Sequence, residues 1–523
     1  MDSPNAIRLS VDILQDAFGD VVAKVGEVLL ERGQLTIREI MACGKGVEDD
    51  DLTFPQIRNA LLVLTQHGLV NFHPFRQSQD GKAHVQVYAM DIEEVLARIR
   101  FPQYLEYVGC RYGPLGQELL EVVFKFGRVA RHVLLKEAKE APRSVPLSPE
   151  EIQESLRLLV TERILRPVEG KDRSSSRPEG ASASGSGGGA SGLGLASRPQ
   201  TRPEKRKRPR LEDVLSAGAA ELSRDAEPKA EVAEEANDMK DAVYRYDRVN
   251  LDLCLRKSAL CRLVEEQTSE QAAVAMHAML HWVVPNQNGE GVTSSYANLD
   301  QVYQKSSGLL KAEGRDPSRV KEKLRGSLDL LAKHKDQVLR KRVAAIKESD
   351  MSEWIVDWDR ACECLRSMAL SQFIRDRFGK IGLRIFNLLL EESPPQRLEE
   401  AYIFKVCMIP MLDGRELLQS MAKNSVLSWQ QVARSSDGAV ANSVWLYYVD
   451  IRRMVPSMLD LAYNAMLNLR IRFRAESARV APMESRALSL GSRARQSLRQ
   501  GRRVEDLLER SFLLLDALPL LCR

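Results

Sequence analysis

His277 and His281 stand four residues apart in an Ala- and Met-rich stretch. On a helix that spacing puts both imidazoles on one face, and a glutamate directly after the first would complete a zinc-protease motif. Ala278 occupies that place. Zinc sites need three or four ligands, so the pair reads as packing. Cys362 and Cys364 have no second pair nearby and read as structural. The glycine cluster at 185–194 follows no hydrophobic strand and opens no amphipathic helix, and no G-x-S-x-G occurs. Phosphate loops and nucleophile elbows need those settings. No catalytic residue, metal site or cofactor is expected.

Charge and apolar patterning carry more. A compact cationic run, Arg202 to Arg210, contains Lys205, Arg206, Lys207 and Arg208. It reads first as a nuclear localisation signal, against a nucleic-acid tether or simply solvated charge. A second concentration holds Arg315, Arg319, Lys321, Lys323, Arg325, Lys333, Lys335, Arg340, Lys341, Arg342 and Lys347, opposed by Asp316, Glu322, Asp329 and Asp336. Arg315, Arg319, Lys321, Lys323, Arg325, Arg340, Lys341 and Arg342 are the candidate DNA contacts; the alternatives are a solvated helix face with i, i+4 pairs and docking of an acidic protein. No Asn/Gln/Arg set stands out for base reading, so contact would be to the phosphate backbone, without sequence preference. Near the C-terminus Val504, Leu507, Leu508, Leu514, Leu515 and Leu518 follow near-heptad spacing. That stripe would be a liability if exposed. It is expected to pair in an antiparallel hairpin with Met454–Leu469, and Val504, Leu507, Leu508, Leu514 and Leu515 are the candidate partner-binding residues.

Composition sets the frame for these elements. The 523 residues, 44% of them hydrophobic, suit three to five domains. Aromatics are only 6%, which favours Leu- and Ala-rich helical packing over large β-sandwiches. A net charge of +4 excludes a polycationic arm whose affinity is mostly phosphate neutralisation. The eight cysteines are scattered, which fits a reducing compartment and excludes a disulfide scaffold. No apolar run is long enough to span a membrane. The polar start, Met1 to Ser10, lacks the pattern of a secretory signal.

Between Glu169 and Val243 there is no aromatic residue and no isoleucine. Such a segment cannot bury enough apolar surface to offset ordering entropy, and 169–243 is expected to be a disordered linker. On either side a pattern repeats: a helical Leu-x-x-Leu, a polar tetrapeptide, then two aliphatics. It runs from Leu61 through Thr-Gln-His-Gly to Leu69-Val70, from Leu156 through Val-Thr-Glu-Arg to Ile164-Leu165, and from Leu418 through Ala-Lys-Asn-Ser to Val426-Leu427, with a longer version from Leu328 to Leu339. Each is a helix that stops and feeds a strand. With two amphipathic segments upstream and an alternating hairpin downstream, each repeat reads as a winged helix. In the first, Glu48, Asp49, Asp50 and Asp51 precede the third helix and would repel phosphate, so that repeat reads as a protein-docking module. In the third, one long helix is expected over Leu251–Trp282. The expected architecture is mainly α: tandem winged helices at 1–90, 91–168, 244–357 and 358–450, the linker at 169–243, and a C-terminal helical hairpin or coiled coil at 451–523.

Several stretches then carry a family likeness. Phe18-Gly-Asp-Val-Val-Ala-Lys-Val-Gly-Glu-Val-Leu-Leu30, Ala60-Leu-Leu-Val-Leu-Thr-Gln-His-Gly-Leu-Val70, Arg100-Phe-Pro-Gln-Tyr104, Phe378-Gly-Lys-Ile-Gly-Leu-Arg-Ile-Phe386 and Met408-Ile-Pro-Met-Leu-Asp-Gly-Arg-Glu416 resemble the winged-helix subunit of the three-protein initiation subcomplex of RNA polymerase III. That family is related to the large subunit of transcription factor IIE. The resemblance implies a nuclear, non-catalytic subunit on the polymerase clamp over the DNA cleft. It would act in initiation and promoter opening beside the two other subcomplex members, the clamp of the largest subunit and DNA near the transcription bubble. The other function classes are a free-standing winged-helix DNA-binding regulator and a winged-helix protein scaffold without DNA contact.

Overall fold

The computed structural model describes residues 3–43, 52–76, 84–140, 148–168, 242–286, 291–310, 317–344, 351–390, 397–433, 443–484 and 492–522. They form two bodies. One comprises Met1–Gln117, Phe124–Gly127 and Asp247–Arg523, the other Glu118–Val123 and Arg128–Tyr246. The fold is mainly α, with small antiparallel sheets.

Four three-stranded sheets share one strand order, first–third–second along the chain. Each begins with a two-residue strand running into a helix: Leu35–Thr36, Val129–Ala130, Ala297–Asn298 and Leu398–Glu399. After each third helix the chain turns through a left-handed residue, two positions past the helix at Gly68 (φ 71°), Arg163 (55°) and Ser425 (58°) and four past it at Gln337 (48°). These are the last residues of the polar segments in the sequence repeat. In three repeats the next amide reaches back over the final turn, Leu69 N to Leu64 O at 2.9 Å, Ile164 N to Leu159 O at 2.9 Å and Val426 N to Met421 O at 3.0 Å. This is the Schellman motif, whose apolar contact joins the residues at its two ends. All six of those side chains are buried. Leucine spacing and chain reversal thus have one cause.

Several boundaries differ from the sequence expectation. The second winged helix does not close at 168. Strand Val243–Tyr246 pairs with Val129–Ala130 and with Leu165–Pro167, so this winged helix runs to Tyr246 with 169–241 inserted between its wing strands. It buries its own core, including Leu134, Ile152, Leu156, Leu159 and Tyr244. The disorder expected for the segment concerns residues outside those described, apart from Ala242 and the final strand's Val243. Residues 91–117 belong to the first body, not to the second winged helix. The expected helix Leu251–Trp282 is two, Arg248–Gln267 and Glu270–Met279. Ser269 caps the second, its Oγ accepting from Ala272 N at 3.3 Å, and Val283–Pro285 pairs with Val292–Ser294 in an extra hairpin.

A helix therefore leads into each winged helix across a sharp break. Three breaks are glycines of near-identical geometry: Gly19 (φ 87°, ψ 175°), Gly113 (83°, 173°) and Gly379 (71°, −173°). Only glycine adopts that region without strain. The first leading helix, Pro4–Phe18, buries Ala6, Leu9, Ile13 and Leu14, and it begins inside the polar start Met1 to Ser10. It packs on helix Ile451–Glu484. Asn5 Nδ2 donates to Asp460 at 2.8 Å, Arg470 reaches Asp12 at 2.6 Å and also Asp16, and Arg474 reaches Asp12 and Asp16 at 2.7 and 2.9 Å. Ile451–Glu484 and Ser492–Cys522 form the C-terminal hairpin. The expected apolar stripe is split there: Leu508 and Leu518 are buried, whereas Leu507 and Leu514 are 62% and 76% exposed.

At the centre of this body lies a buried guanidinium. Arg100 Nε donates to Asp516 at 2.9 Å and its Nη1 to Asp252 at 3.1 Å, while Tyr104 Oη donates to Asp252 at 2.5 Å. Burial opposes the charge on Arg100, and Asp516 and Asp252 outweigh it. Burial likewise holds the Asp516 carboxyl above the ordinary carboxylate range, against the pull of Arg100. Arg248 adds contacts to Glu94 at 3.0 Å, Glu93 at 3.2 Å and Asp252 at 3.5 Å. Removing one member of a buried ionic cluster strands the others, at a cost of about 3–5 kcal/mol. Arg100→Met is expected to destabilise this body by that amount. Arg100→Lys should recover only part of the loss, because an ammonium cannot fork between two carboxylates. Thermal and denaturant unfolding of the three proteins measures this, and wild-type stability in Arg100→Met would refute the keystone role.

His67 supplies a pH test. Its ring lies 4.8 Å from Phe18, and Arg98 covers the other aromatics, 4.7 Å from Phe18 and 5.1 Å from Phe101. Burial and the Arg98 charge depress the imidazole to about 4. A depressed folded-state value means stability is present above the unfolded value near 6.5 and is lost as pH falls through 4. His67→Gln should therefore show a shallower loss of melting temperature than wild type between pH 6.5 and 4; parallel curves would count against this.

Candidate nucleic-acid interface

The cationic concentration of the sequence falls on winged helix 3. Its second and third helices are Leu299–Leu310 and Pro317–Lys333, and its wing is Leu339–Ala344 paired with Met351–Val356. Register runs from Leu339 opposite Val356 to Ala344 opposite Met351. Leu324, Leu328 and Leu331 turn one face of the third helix into the core against Val302 and Trp354. The remaining face, with Lys323 and Arg325, is left to solvent. Gln337 turns the chain into the wing, so helix and strand Leu339–Ala344 flank an open depression of about 380 Å³ lined by Asp329, Lys333, Gln337, Arg340 and Lys341 among others.

The eight candidate DNA residues divide by environment. Arg315 lies outside the described residues, and Arg319 is on the third helix without a described side chain. Lys321 pairs with Asp300 at 2.6 Å and lies over the Tyr303 ring. Lys341 pairs with Asp329 at 2.9 Å and lies over Trp354. Arg340 pairs with Asp357 yet keeps 69% of its side chain exposed. Lys323, Arg325 and Arg342 are exposed and make no ion pair among the described residues; Arg342 lies over Tyr296, 5.8 Å from its centroid. Asp300 and Asp357 were not visible as opponents in the sequence, because one precedes the third helix and the other follows the wing. Surface pairs of this kind are worth about 0–1 kcal/mol, so Lys321, Arg340 and Lys341 are positioned more than neutralised.

The other third helices offer different chemistry. Phe54–Gln66 exposes Phe54 and Leu62 beside Arg58; the acidic run at 48–51 lies outside the described residues. Pro149–Thr161 opens with Glu150, Glu151 and Glu154, the second closing a capping box with Ser148. Met411–Lys423 exposes Met411 and Leu412 at its start, where a helix-turn-helix reader presents its base contacts, and its Arg415 is held by Glu400 at 2.6 Å.

The metal and thiol candidates are accounted for by packing. His277 Nε2 sits 3.0 Å from Arg111 Nη1, and burial with the Arg111 and Lys257 charges pushes its imidazole down. His281 lies edge-on to Trp282. Cys362 and Cys364, two apart on a helix, point to different sides; burial raises both thiols, Cys364 to about 11. Among the described residues no cluster of three or more metal-ligating side chains occurs, and no helix is long and apolar enough to cross a membrane.

Known proteins give the arrangement a context. Residues 8–74 match the family model of the RNA polymerase III subunit RPC82 helix-turn-helix domain, and residues 370–449 match that of the POLR3C C-terminal winged-helix domain. The chain is 24% identical over 479 residues to DNA-directed RNA polymerase III subunit RPC3 of Danio rerio, covering 88% of this chain and 83% of that one. The Homo sapiens subunit of the same name is 24% identical over 476 residues, with the same coverage. The Dictyostelium discoideum subunit is 20% identical over 621 residues, covering 90% and 91%. From its first winged helix to its fourth, the chain resembles the RPC3 subunit of RNA polymerase III, and this likeness supports a subunit of that polymerase.

Proposed function

We propose that the chain is a non-catalytic subunit of RNA polymerase III that acts in transcription initiation and promoter opening. In this reading winged helix 3 touches DNA near the bubble without reading its sequence. The observation that carries the reading is the concentration of exposed cationic chemistry on the third helix and wing of winged helix 3, where Lys323, Arg325 and Arg342 are exposed and make no ion pair among the described residues. Acidic, apolar and mixed surfaces on the other three suit protein contact with the two other subcomplex members and the clamp of the largest subunit. Leu507 and Leu514, exposed on the C-terminal hairpin, add an apolar face for such a partner. Active-site chemistry would then reside in other subunits.

The DNA contact is tested by titrating labelled duplex and bubble DNA with the full chain across a range of salt. Charge reversal of Lys323, Arg325 and Arg342 should weaken binding and flatten the log–log salt slope by about 0.7–0.9 per lost phosphate contact. Reversal of Lys321, tied to Asp300, should have the smaller effect. An unchanged slope in the triple variant would move the DNA surface elsewhere, and strong dependence on base sequence would favour a free-standing regulator.

Nuclear location is part of the same proposal. Lys205, Arg206, Lys207 and Arg208 lie outside the described residues, and their support is the compact cationic sequence itself. Replacing all of them with alanine should lower nuclear accumulation of the tagged free subunit. Unchanged imaging would assign import to another signal or to a partner.

A further inference from the structure

Each of the four sheets ends in a second strand that pairs on one side only. An edge strand presents outward-facing N–H and C=O groups and templates the pairing of another chain, unless proline, charge or shortness blunts it. Three of these edges are blunted. Val70–Arg76 carries Pro74 and ends in Arg76. Leu165–Pro167 is three residues long and ends in proline. Leu339–Ala344 carries Arg340, Lys341 and Arg342 in succession.

The fourth edge, Ser428–Ala433, reads Ser-Trp-Gln-Gln-Val-Ala. It has six residues, no charge and no proline, and it is held in register by its inner neighbour from Ser428 opposite Tyr448 to Ala433 opposite Ser443. Trp429 is 53% exposed and Val432 41%. The two polar side chains between them are already engaged inside the domain. Gln430 Oε1 accepts from Arg397, and Gln431 Nε2 donates to Ser443 Oγ at 2.9 Å. Trp429 also rests 4.8 Å from Trp445. These contacts rigidify the strand while its outer backbone edge pairs with no strand among the described residues and Trp429 stays half exposed.

We propose that strand Ser428–Ala433 is a docking edge for an extended segment of a partner protein, which adds as a fourth strand to the wing of winged helix 4. Main-chain hydrogen bonds would supply affinity and alternate side chains specificity, as in β-strand addition. The chemistry of the edge defines the segment. It is uncharged where it runs alongside Trp429 and Val432, since a charge laid against those apolar side chains would lose its water. It carries an aromatic or β-branched residue where it passes Trp429, the favoured cross-strand neighbour. The proposal concerns this edge in whatever complex holds the chain, and it extends the reading of the chain as a polymerase subunit by naming how one partner attaches.

The test compares amide hydrogen exchange across 428–433 in the free full-length chain and in the native complex purified through a tag on this chain. Outward amides of the strand should exchange about tenfold or more slowly in the complex. A photo-crosslinker in place of Gln431 should capture an uncharged extended segment of one partner. Gln431→Pro would remove an edge amide, and Trp429→Lys with Val432→Lys would install the charge guard of the third wing. Both should abolish protection and crosslinking while the free chain melts as wild type does. Equal exchange in free chain and complex would overturn the proposal, as would a crosslink to a second copy of this chain or to a helical segment. Should the guard variants melt early, the exchange comparison on the wild-type chain still decides. The identity of the co-purified subunits separately tests membership of the polymerase.

Discussion

The organisation of the larger body depends on keeping one guanidinium charged out of water. Arg100, Asp252 and Asp516 lie far apart in sequence, yet each is less than a tenth exposed. A buried cation is tolerable only when its partners are present with good geometry. The node therefore holds three chain segments to one solution: the turn into helix Phe101–Phe126, the helix Arg248–Gln267 and the last helix. Helix Arg248–Gln267 serves it along a single face. Arg248 meets Glu93 and Glu94, Asp252 meets Arg100 and Tyr104, and Arg256 Nε donates to the Leu520 carbonyl at 2.9 Å. These residues are spaced i, i+4, i+8, so one helix face reads both an N-terminal and a C-terminal segment. Such a network couples distant segments more tightly than an equal area of leucine contacts, because each missing member leaves a stranded charge.

Local rules were legible in the sequence and non-local ones were not. The Leu-x-x-Leu, polar segment and aliphatic pair predicted where three of the third helices stop, because the Schellman turn ties those residues together within six positions. The alternating hairpin expected after the third repeat is the wing Leu339–Ala344 paired with Met351–Val356, since alternation and a turn fix register locally. Strand Val243–Tyr246 was missed because its partners lie across an insertion of more than seventy residues. The helix Pro4–Phe18 buries Ala6, Leu9, Ile13 and Leu14 at helical spacing, yet its outer face carries Asp12 and Asp16, whose partners the local sequence does not reveal. Those carboxylates are met by Arg470 and Arg474, more than 450 positions away. At the candidate site the cationic residues were legible, and their sorting into paired and unpaired was not, since Asp300 and Asp357 come from neighbouring elements.

The four winged helices show how one backbone carries several surfaces. Strand order, the short first strand and the left-handed turn are common to all, and those features are fixed by sterics and buried apolar contacts. Third-helix surfaces are not fixed by them. The exposed third-helix surface is cationic in one repeat, opens on acidic residues in another and on apolar ones in a third, and each choice leaves the core alone. Substitution on these faces should accordingly separate function from stability, whereas substitution at Leu64, Leu159 or Met421 cannot.

The wings extend that logic from side chains to backbone. Four winged-helix sheets among the described residues have four second strands at an edge, each able to pair with a neighbouring molecule. Blunting them is therefore a solubility requirement before it is anything else. Against that requirement an unblunted edge stands out as a choice with a cost, since an isolated Ser-Trp-Gln-Gln-Val-Ala edge invites unwanted pairing. The cost is smallest where the edge is covered in the working state. The exposed Met411 and Leu412 at the start of the same domain's third helix carry the same liability. Two independent exposed features of winged helix 4, one of backbone and one of side chains, thus share one physical resolution: a protein surface laid over this domain, while winged helix 3 keeps its cationic face open to solvent.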